Sequence, residues 1–232
     1  MPATAPKTAD APRRSRAEQR EETRARILQA ALDIIIDEGI RSVRNRAVAR
    51  RAGVSLGSTT YHFESIEDLI ISAFGYWRSR ALLTENPFYR QTSALLEPYR
   101  ESTVPGPQRA VIAGQILDIS AGYLVSQLSG KRRDRLLELA FHHESVRYPS
   151  LHKLVMDEWR AQFDFLAWVH RTLGSPQPDI DARLTTALFR QLEQSCVIEQ
   201  QTAPDRQLIR ASLHRHLSLC LGVDIPASAG DD

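Results

Sequence analysis

No run of eighteen consecutive apolar residues occurs in these 232 residues, and the first twenty contain no apolar stretch of the kind a secretion signal needs. The expectation is a cytoplasmic protein that crosses no membrane. Cysteine is almost absent. Cys196 and Cys220 fall on separate expected helices, so no disulfide framework is indicated; buried thiols on apolar faces are the ordinary reading, with redox sensing as the alternative. Only 11 Gly and 12 Pro are present, and many prolines, such as Pro105, Pro107, Pro149, Pro176, Pro178 and Pro204, stand at segment edges. Between them apolar residues recur with helical rather than alternating period, which argues for an all-α chain. Lysine is scarce, three among the 30 Lys and Arg, but arginine is spread along the whole length and carries no functional weight.

Several chemistries are missing too. Gly130-Lys131 has neither the upstream Gly nor the following Ser or Thr of a phosphate loop. His143-Glu144 begins like a zinc-protease helix, but the position of the second histidine is Arg147. His142, His143 and His152, or His214 with His216, would meet over a metal only by tertiary accident. No catalytic residue, cofactor or metal site is therefore expected. Net charge is only +2, yet residues 1 to 65 hold 12 Lys or Arg against 8 Asp or Glu, so the amino-terminal end is the basic one.

What that end does contain is informative. Residues 45 to 63, NRAVARRAGVSLGSTTYHF, read as two short helices hinged at Ala52-Gly53-Val54. Val48 and Ala49 face inward, and Ala49 is small where a second helix must cross closely. Gly53 supplies the positive φ of a tight turn, Val54 plugs it, and Ser55 is a good N-cap for a helix from Leu56. Ser58, Thr60, Tyr61 and His62 on that helix can donate or accept hydrogen bonds, and no acidic residue there repels phosphate. Upstream, Ile27, Leu28, Ala31, Ile34 and Ile35 give residues 21 to 38 one buried face. Downstream, Ser65 and Asp68 come close to a capping box before the stripe Ile66, Leu69, Ile70, Ala73 and Phe74. Three helices make a small core and a fourth leads away, the arrangement that puts one helix into a major groove; an ordinary helical hairpin is the bland alternative.

With these residues in place, residues 21 to 80 resemble the DNA-binding half of the TetR (tetracycline-repressor-like) family of bacterial transcription regulators. The resemblance is carried by Glu38-Gly39, Val48-Ala49, Ala52-Gly53-Val54-Ser55, Gly57-Ser58, Tyr61-His62-Phe63 and Leu69. It implies a recognition helix at about residues 56 to 62, DNA contacts from Asn45 and Arg46, and Phe63 as a core anchor. Three departures stand out. Arg44 occupies a position usually held by a capping Thr or Ser, Thr59 and Thr60 replace the commoner Leu and Tyr, and Ile66 replaces a phosphate-binding Lys, with Glu64 nearby. Exposed backbone N–H groups at the helix start are the expected substitute for that lysine.

The expected organisation is a disordered basic arm over residues 1 to 20, a helix-turn-helix domain over 21 to 66, a helical ligand-binding and dimerisation domain over 67 to 222, and a flexible tail over 223 to 232, with nine or ten helices in all. Arg13, Arg14, Arg16 and Arg20 would lie along phosphates or remain solvated. Later helices are expected from 66 to about 83, 92 to 99, 107 to 130, 132 to 147, 150 to 173 (capped by Ser150), 179 to 201 and 204 to 221. The resemblance implies that the last two pair with their copies in a homodimer; Leu184, Leu188, Leu192 and Cys196, and Ile209, Leu213, Leu217 and Cys220, form stripes suited either to that or to internal core. Trp77, Tyr123, Phe141, His142, Trp159 and Phe163 are candidate ligand-pocket residues, although aromatic density is also what a core requires.

The resulting reading is a repressor. Arg44, Asn45, Arg46, Ser55, Leu56, Gly57, Ser58, Thr60, Tyr61 and His62 would contact a palindromic double-stranded operator, and a small apolar or amphipathic effector would release it. The alternatives are the same fold controlled by a protein partner or by no ligand, activation in place of repression, and, more distantly, a helical enzyme or metal-binding protein.

Overall fold

The computed structural model describes residues 15–79, 86–199 and 201–226, and ten α-helices with no strand occupy them. The chain divides into two compact units between Ala73 and Phe74, a point that falls within the fourth helix.

In the first unit, α1 is Arg16–Glu38, α2 Asn45–Ala52, α3 Leu56–His62, and α4, Ile66–Ser79, begins. The arm expected to be disordered through residue 20 is helical from Arg16. Ser15 accepts the Glu18 N–H while the Glu18 carboxylate accepts the Ser15 N–H, a capping box that lengthens α1 by more than a turn. Residues 1–14 lie outside the described set. Gly39 ends α1 at φ 85°, and a 3-10 turn, Ile40–Ser42, leads into α2. The core consists of Ile27, Leu28, Ala31, Ile34 and Ile35 from α1 with Val48, Ala49, Phe63, Leu69 and Ile70, matching the apolar periods.

The second unit holds α5 (Pro87–Leu96), α6 (Gly106–Leu128), α7 (Arg132–Ser145), α8 (Pro149–Thr172), α9 (Pro178–Ile198) and α10 (Arg206–Leu221). By length and composition α6 alone among the described helices is apolar enough to cross a membrane, at mean hydropathy 1.3. It is the helix against which α5, α9 and α10 pack, with Ala113, Ile116, Leu117 and Leu124 buried and Asp118 accepting from Arg210 at 2.6 Å.

Several boundaries depart from expectation for local reasons. The short helix expected at 92 to 99 starts at Pro87, because Asn86 accepts the Phe88 N–H and Pro87 suits the first helical position; a 3-10 turn, Glu97–Tyr99, follows. Ser150 is not the cap of α8, which begins at Pro149 after Tyr148. Asp205, not Pro204, opens α10 by accepting the Leu208 N–H. The tail is not loose at its start either. Ile225 is buried in the core, and its carbonyl lies 2.9 Å from His214 Nε2; residues 227–232 are outside the described set.

Of the two stripes considered for subunit pairing, the one on α10 resolves as internal core, while the one on α9 divides: Leu188, Leu192 and Cys196 turn inward and Leu184 is exposed. Ile209, Leu213, Leu217 and Cys220, together with Leu192, pack in the cluster centred on α6, and Cys196 is buried as well. Leu184 faces outward with Ile180 and Ile198 on α9 and Leu208 and Leu219 on α10, each more than half exposed. The spacing of 180, 184 and 198, and of 208 and 219, keeps each set on one helical face.

Candidate nucleic-acid interface and regulatory cavity

The turn between α2 and α3 is held by arginines that the sequence pattern did not single out. Gly53 sits at φ 64° in the left-handed region, and Arg26 of α1 donates to the Ala52 and Gly53 carbonyls at 2.6 and 3.0 Å, closing the free end of α2. Arg51 donates to Asp37 at 2.8 Å and Glu38 at 3.2 Å. These bonds tie the motif to α1 and occupy two of its cations structurally. Arg44, Arg46 and Arg50 remain exposed and make no ion pair among the described residues.

At the start of α2, Arg44 is the N-cap residue and makes no side-chain cap; the first intrahelical bond there is Val48 N–H to the Arg44 carbonyl, at 2.9 Å. The N–H groups of the first turn are thus left to solvent beside two guanidinium groups, a surface suited to a phosphate. The start of α4 differs. Asp68 accepts the Glu64 N–H at 3.0 Å, and the Asp68 N–H goes to Ser65 at 3.0 Å. The donors expected to replace the missing lysine are partly consumed there, beside Glu67 and Asp68.

On α3, Ser55 caps through the Ser58 N–H at 3.2 Å, and Leu56, Gly57, Thr60 and Tyr61 are exposed, Tyr61 at 69%. Ser58 and His62 are half-buried. Thr59 is fully buried and donates to the Leu56 carbonyl at 2.7 Å, so the unusual Thr59 serves the core while Thr60 faces out. Two α1 residues also border this face: Arg20 lies over the Tyr61 ring at 5.5 Å and Arg24 over Phe63 at 5.4 Å. Burial, then Arg20 and Arg24, lowers the His62 pKa. From residue 45 to 62 there is no acidic side chain.

The second unit contains a cavity of about 420 Å³. Trp77, Phe88, Tyr89, Tyr123 and Phe189 form aromatic walls, and Arg78, Lys131, Asp134, Arg135, Glu138, Glu158, Arg190 and Glu193 add four charges of each sign. Arg78 is hydrogen-bonded to Glu158; Arg135 reaches Glu138 at 2.7 Å and Glu193 at 3.1 Å; Trp77 donates to Asp134 at 3.1 Å. Asn86 donates to the Tyr123 hydroxyl at 3.2 Å. Burial dominates the electrostatics. It raises the Glu193 pKa to about 7 although Arg135 opposes it, raises Glu158, and holds the Tyr123 phenol up at about 12. Burial disfavours the Arg135 charge as well, but Glu138 and Glu193 outweigh it and the guanidinium pKa is raised.

Of the six expected pocket residues, Trp77 and Tyr123 line this cavity. His142 borders an adjoining void of about 20 Å³ and accepts from Trp159 Nε1 at 3.3 Å. Phe141 is fully buried, stacked on Trp77. Trp159 is covered by Arg190 at 3.8 Å, and Phe163 packs beside Leu166 and Ala182 under Arg183. The cavity-facing positions of α8 are Glu158, Gln162 and Leu166, one residue from the aromatic pair, and one residue is about 100° of helix rotation. The charged lining had no signal in the sequence, because its members are spread over α4, α7, α8 and α9 and the residue before α7.

Comparison with known proteins follows this division. Residues 27–73 match the family "Bacterial regulatory proteins, tetR family", and residues 93–219, more than half of the chain, match "Tetracyclin repressor-like, C-terminal domain". An uncharacterized HTH-type transcriptional regulator, Rv2912c of Mycobacterium tuberculosis, is 42% identical over 57 residues, 25% of this chain; that match spans only 29% of the relative's length. The HTH-type transcriptional repressor KstR of Mycolicibacterium smegmatis is 28% identical over 183 residues, covering 74% of this chain and 87% of KstR. Among solved structures, multidrug binding protein EbrR complexed with ethidium superposes with a TM-score of 0.55 at 27% identity, over 84% of this chain and 98% of that one. Both halves of the chain answer to the same group in the same order, and the protein belongs to the tetR family of bacterial regulatory proteins.

Proposed function

We propose that the protein is a cytoplasmic homodimeric repressor that grips an inverted-repeat operator through α3 and lets go when a small amphipathic molecule enters the cavity of the second unit. The observation that carries the DNA half is the acid-free, exposed surface made by the uncapped start of α2 and the outer face of α3. Thr60, Tyr61 and Ser58, with His62, would contact bases or phosphates, Ser55, Leu56 and Gly57 would approach the groove edge, and Arg44, Asn45 and Arg46 would hold the backbone. Two such helices, one turn of duplex apart, read a palindrome with useful affinity.

The effector half rests on a cavity large enough for a small ligand, walled by aromatics and edged with carboxylates. Trp77, Tyr89 and Tyr123 suit a flat ring system, and a cationic group on it would favour the charged forms of Glu158 and Glu193, which burial disfavours. EbrR, described as a multidrug binding protein and solved with ethidium, supports that class. The ligand would shift the dimer by its difference in affinity between the DNA-competent and released states, on the order of 1 to 3 kcal/mol.

The test is operator binding followed by fluorescence anisotropy on DNA taken from beside the coding sequence. Tyr61→Ala should lower specific affinity by about 1 to 3 kcal/mol while leaving non-specific binding in place. Arg46→Ala should weaken binding to every duplex and reduce the salt slope by roughly 0.9. Ethidium should displace the wild type from DNA with less effect on Glu193→Gln. Unchanged operator affinity in both DNA variants would remove α3 and the start of α2 from the interface.

A further inference from the structure

Neither the DNA surface nor the cavity uses a polar cluster enclosed by α8, α9 and α10. His170 is 1% exposed, and Asp181 and Cys220 are each 8% exposed. A ring nitrogen, a carboxylate oxygen and a sulfur, one from each, lie within 4.8 Å of one another. Asp181 is bonded by the Ser175 hydroxyl, and no Lys or Arg pairs with it among the described residues. A buried carboxylate with no cation beside it is unusual, since buried charges are normally paired or bound to metal.

Thr185 explains how the imidazoles are set. Its hydroxyl lies 2.8 Å from the Asp181 carbonyl oxygen and 2.7 Å from Nε2 of both His170 and His216. A hydroxyl has one proton to give and two lone pairs to receive. With the proton donated to the Asp181 carbonyl, Thr185 accepts from both rings, so each carries its hydrogen on Nε2 and a lone pair on Nδ1. The Nδ1 of His170 is buried without a partner, and that of His216 lies 3.6 Å from Cys220 Sγ.

We propose that His170, Asp181 and Cys220, with His216 as fourth donor, form a binding site for a divalent cation of the zinc class. One sulfur, two imidazoles and one carboxylate make a donor set that zinc accepts and that magnesium and calcium disfavour. Bonds of about 2.0 to 2.3 Å in a tetrahedron place donor atoms about 3.3 to 3.8 Å apart, so the His170, Asp181 and Cys220 donors close by about 1 Å through side-chain rotation, and His216, already 3.6 Å from Cys220 Sγ, turns in with them. Thr185 fixes the ring tautomers, as outer partners of metal-bound histidines do. A cysteine sulfur binds such a cation as the thiolate. Binding therefore releases the thiol proton to solvent as the sulfur–metal bond forms. Because the donors come from three helices, an occupied site stabilises the regulatory unit as it stands.

The experiment uses the full-length protein, stripped with a chelator under reducing conditions and titrated with Co²⁺. Wild type should develop a sulfur-to-cobalt charge-transfer band and tetrahedral d–d bands that saturate at one ion per chain and bleach on adding Zn²⁺. Cys220→Ser should lose the charge-transfer band and Cys196→Ser should retain it. Thr185→Val should weaken Co²⁺ binding roughly 10- to 100-fold. As a second measurement independent of the cysteine variants, Zn²⁺ should raise the thermal midpoint of wild type and not that of Asp181→Asn. Wild type without a thiolate band, or a band that survives in Cys220→Ser, overturns the proposal.

Discussion

Glu193 is a carboxyl group caught between an arginine and a cavity wall. Burial raises its pKa from 4.5 to about 7, Arg135 opposes that rise, and the charge of Glu138 adds to it. The folded protein therefore holds a proton that the unfolded chain releases near pH 4.5. The stabilisation is complete below about pH 4.5 and disappears as pH rises through about 7. Urea unfolding of wild type should show falling stability across that window, and Glu193→Gln should show a flatter profile; an equally steep slope in the variant would place the proton elsewhere. Single residues of this kind were hard to foresee. Glu193 lies in α9 beside Leu192 and Gln194 with nothing in its neighbours to mark it; its character comes from burial against α7, where its partner Arg135 lies 58 positions away.

Among the helices, α2 is the one whose stability and function pull in opposite directions. Its N-cap residue is an arginine that caps nothing, where Ser or Thr would contribute about 1 kcal/mol. Arg44→Ser should raise the thermal midpoint slightly while weakening operator binding, because it fills one open N–H and removes a cation from the same spot. Differential scanning fluorimetry and anisotropy on one preparation measure both; a variant that gains stability without losing DNA affinity would show that this helix start does not meet phosphate. Elements were the most readable part of the chain. Ser55, Gly53 and the apolar repeat of α1 each act within a turn or two, so the helix-turn-helix motif emerged with its boundaries. Three misjudged ends, at Ser15, Pro87 and Asp205, involve a short polar cap next to residues that otherwise read as loop, whereas α8 starts at Pro149 with no side-chain cap.

For the whole molecule the question is which surface joins two copies. The stripe through Ile209, Leu213 and Leu217 is spent inside one chain, leaving Ile180, Leu184 and Ile198 on α9 and Leu208 and Leu219 on α10 exposed. Exposed apolar rows on two adjacent long helices favour association. Leu184→Glu combined with Leu219→Glu should yield a monomer by light scattering, with unchanged helical circular dichroism and operator affinity reduced by at least an order of magnitude, since avidity is lost. A double variant that stays dimeric would move the interface to another face.

Helical class, the order of the two domains and the groove-reading motif were settled along the chain, because periodicity, caps and a left-handed glycine are properties of neighbouring residues. Which apolar stripe turns inward, which charges edge the cavity, and how Thr185 gathers two histidines beside Asp181 and Cys220 depended on packing. Those groups lie far apart in the chain, and only the close approach of α8, α9 and α10 removes water from them and gives them partners.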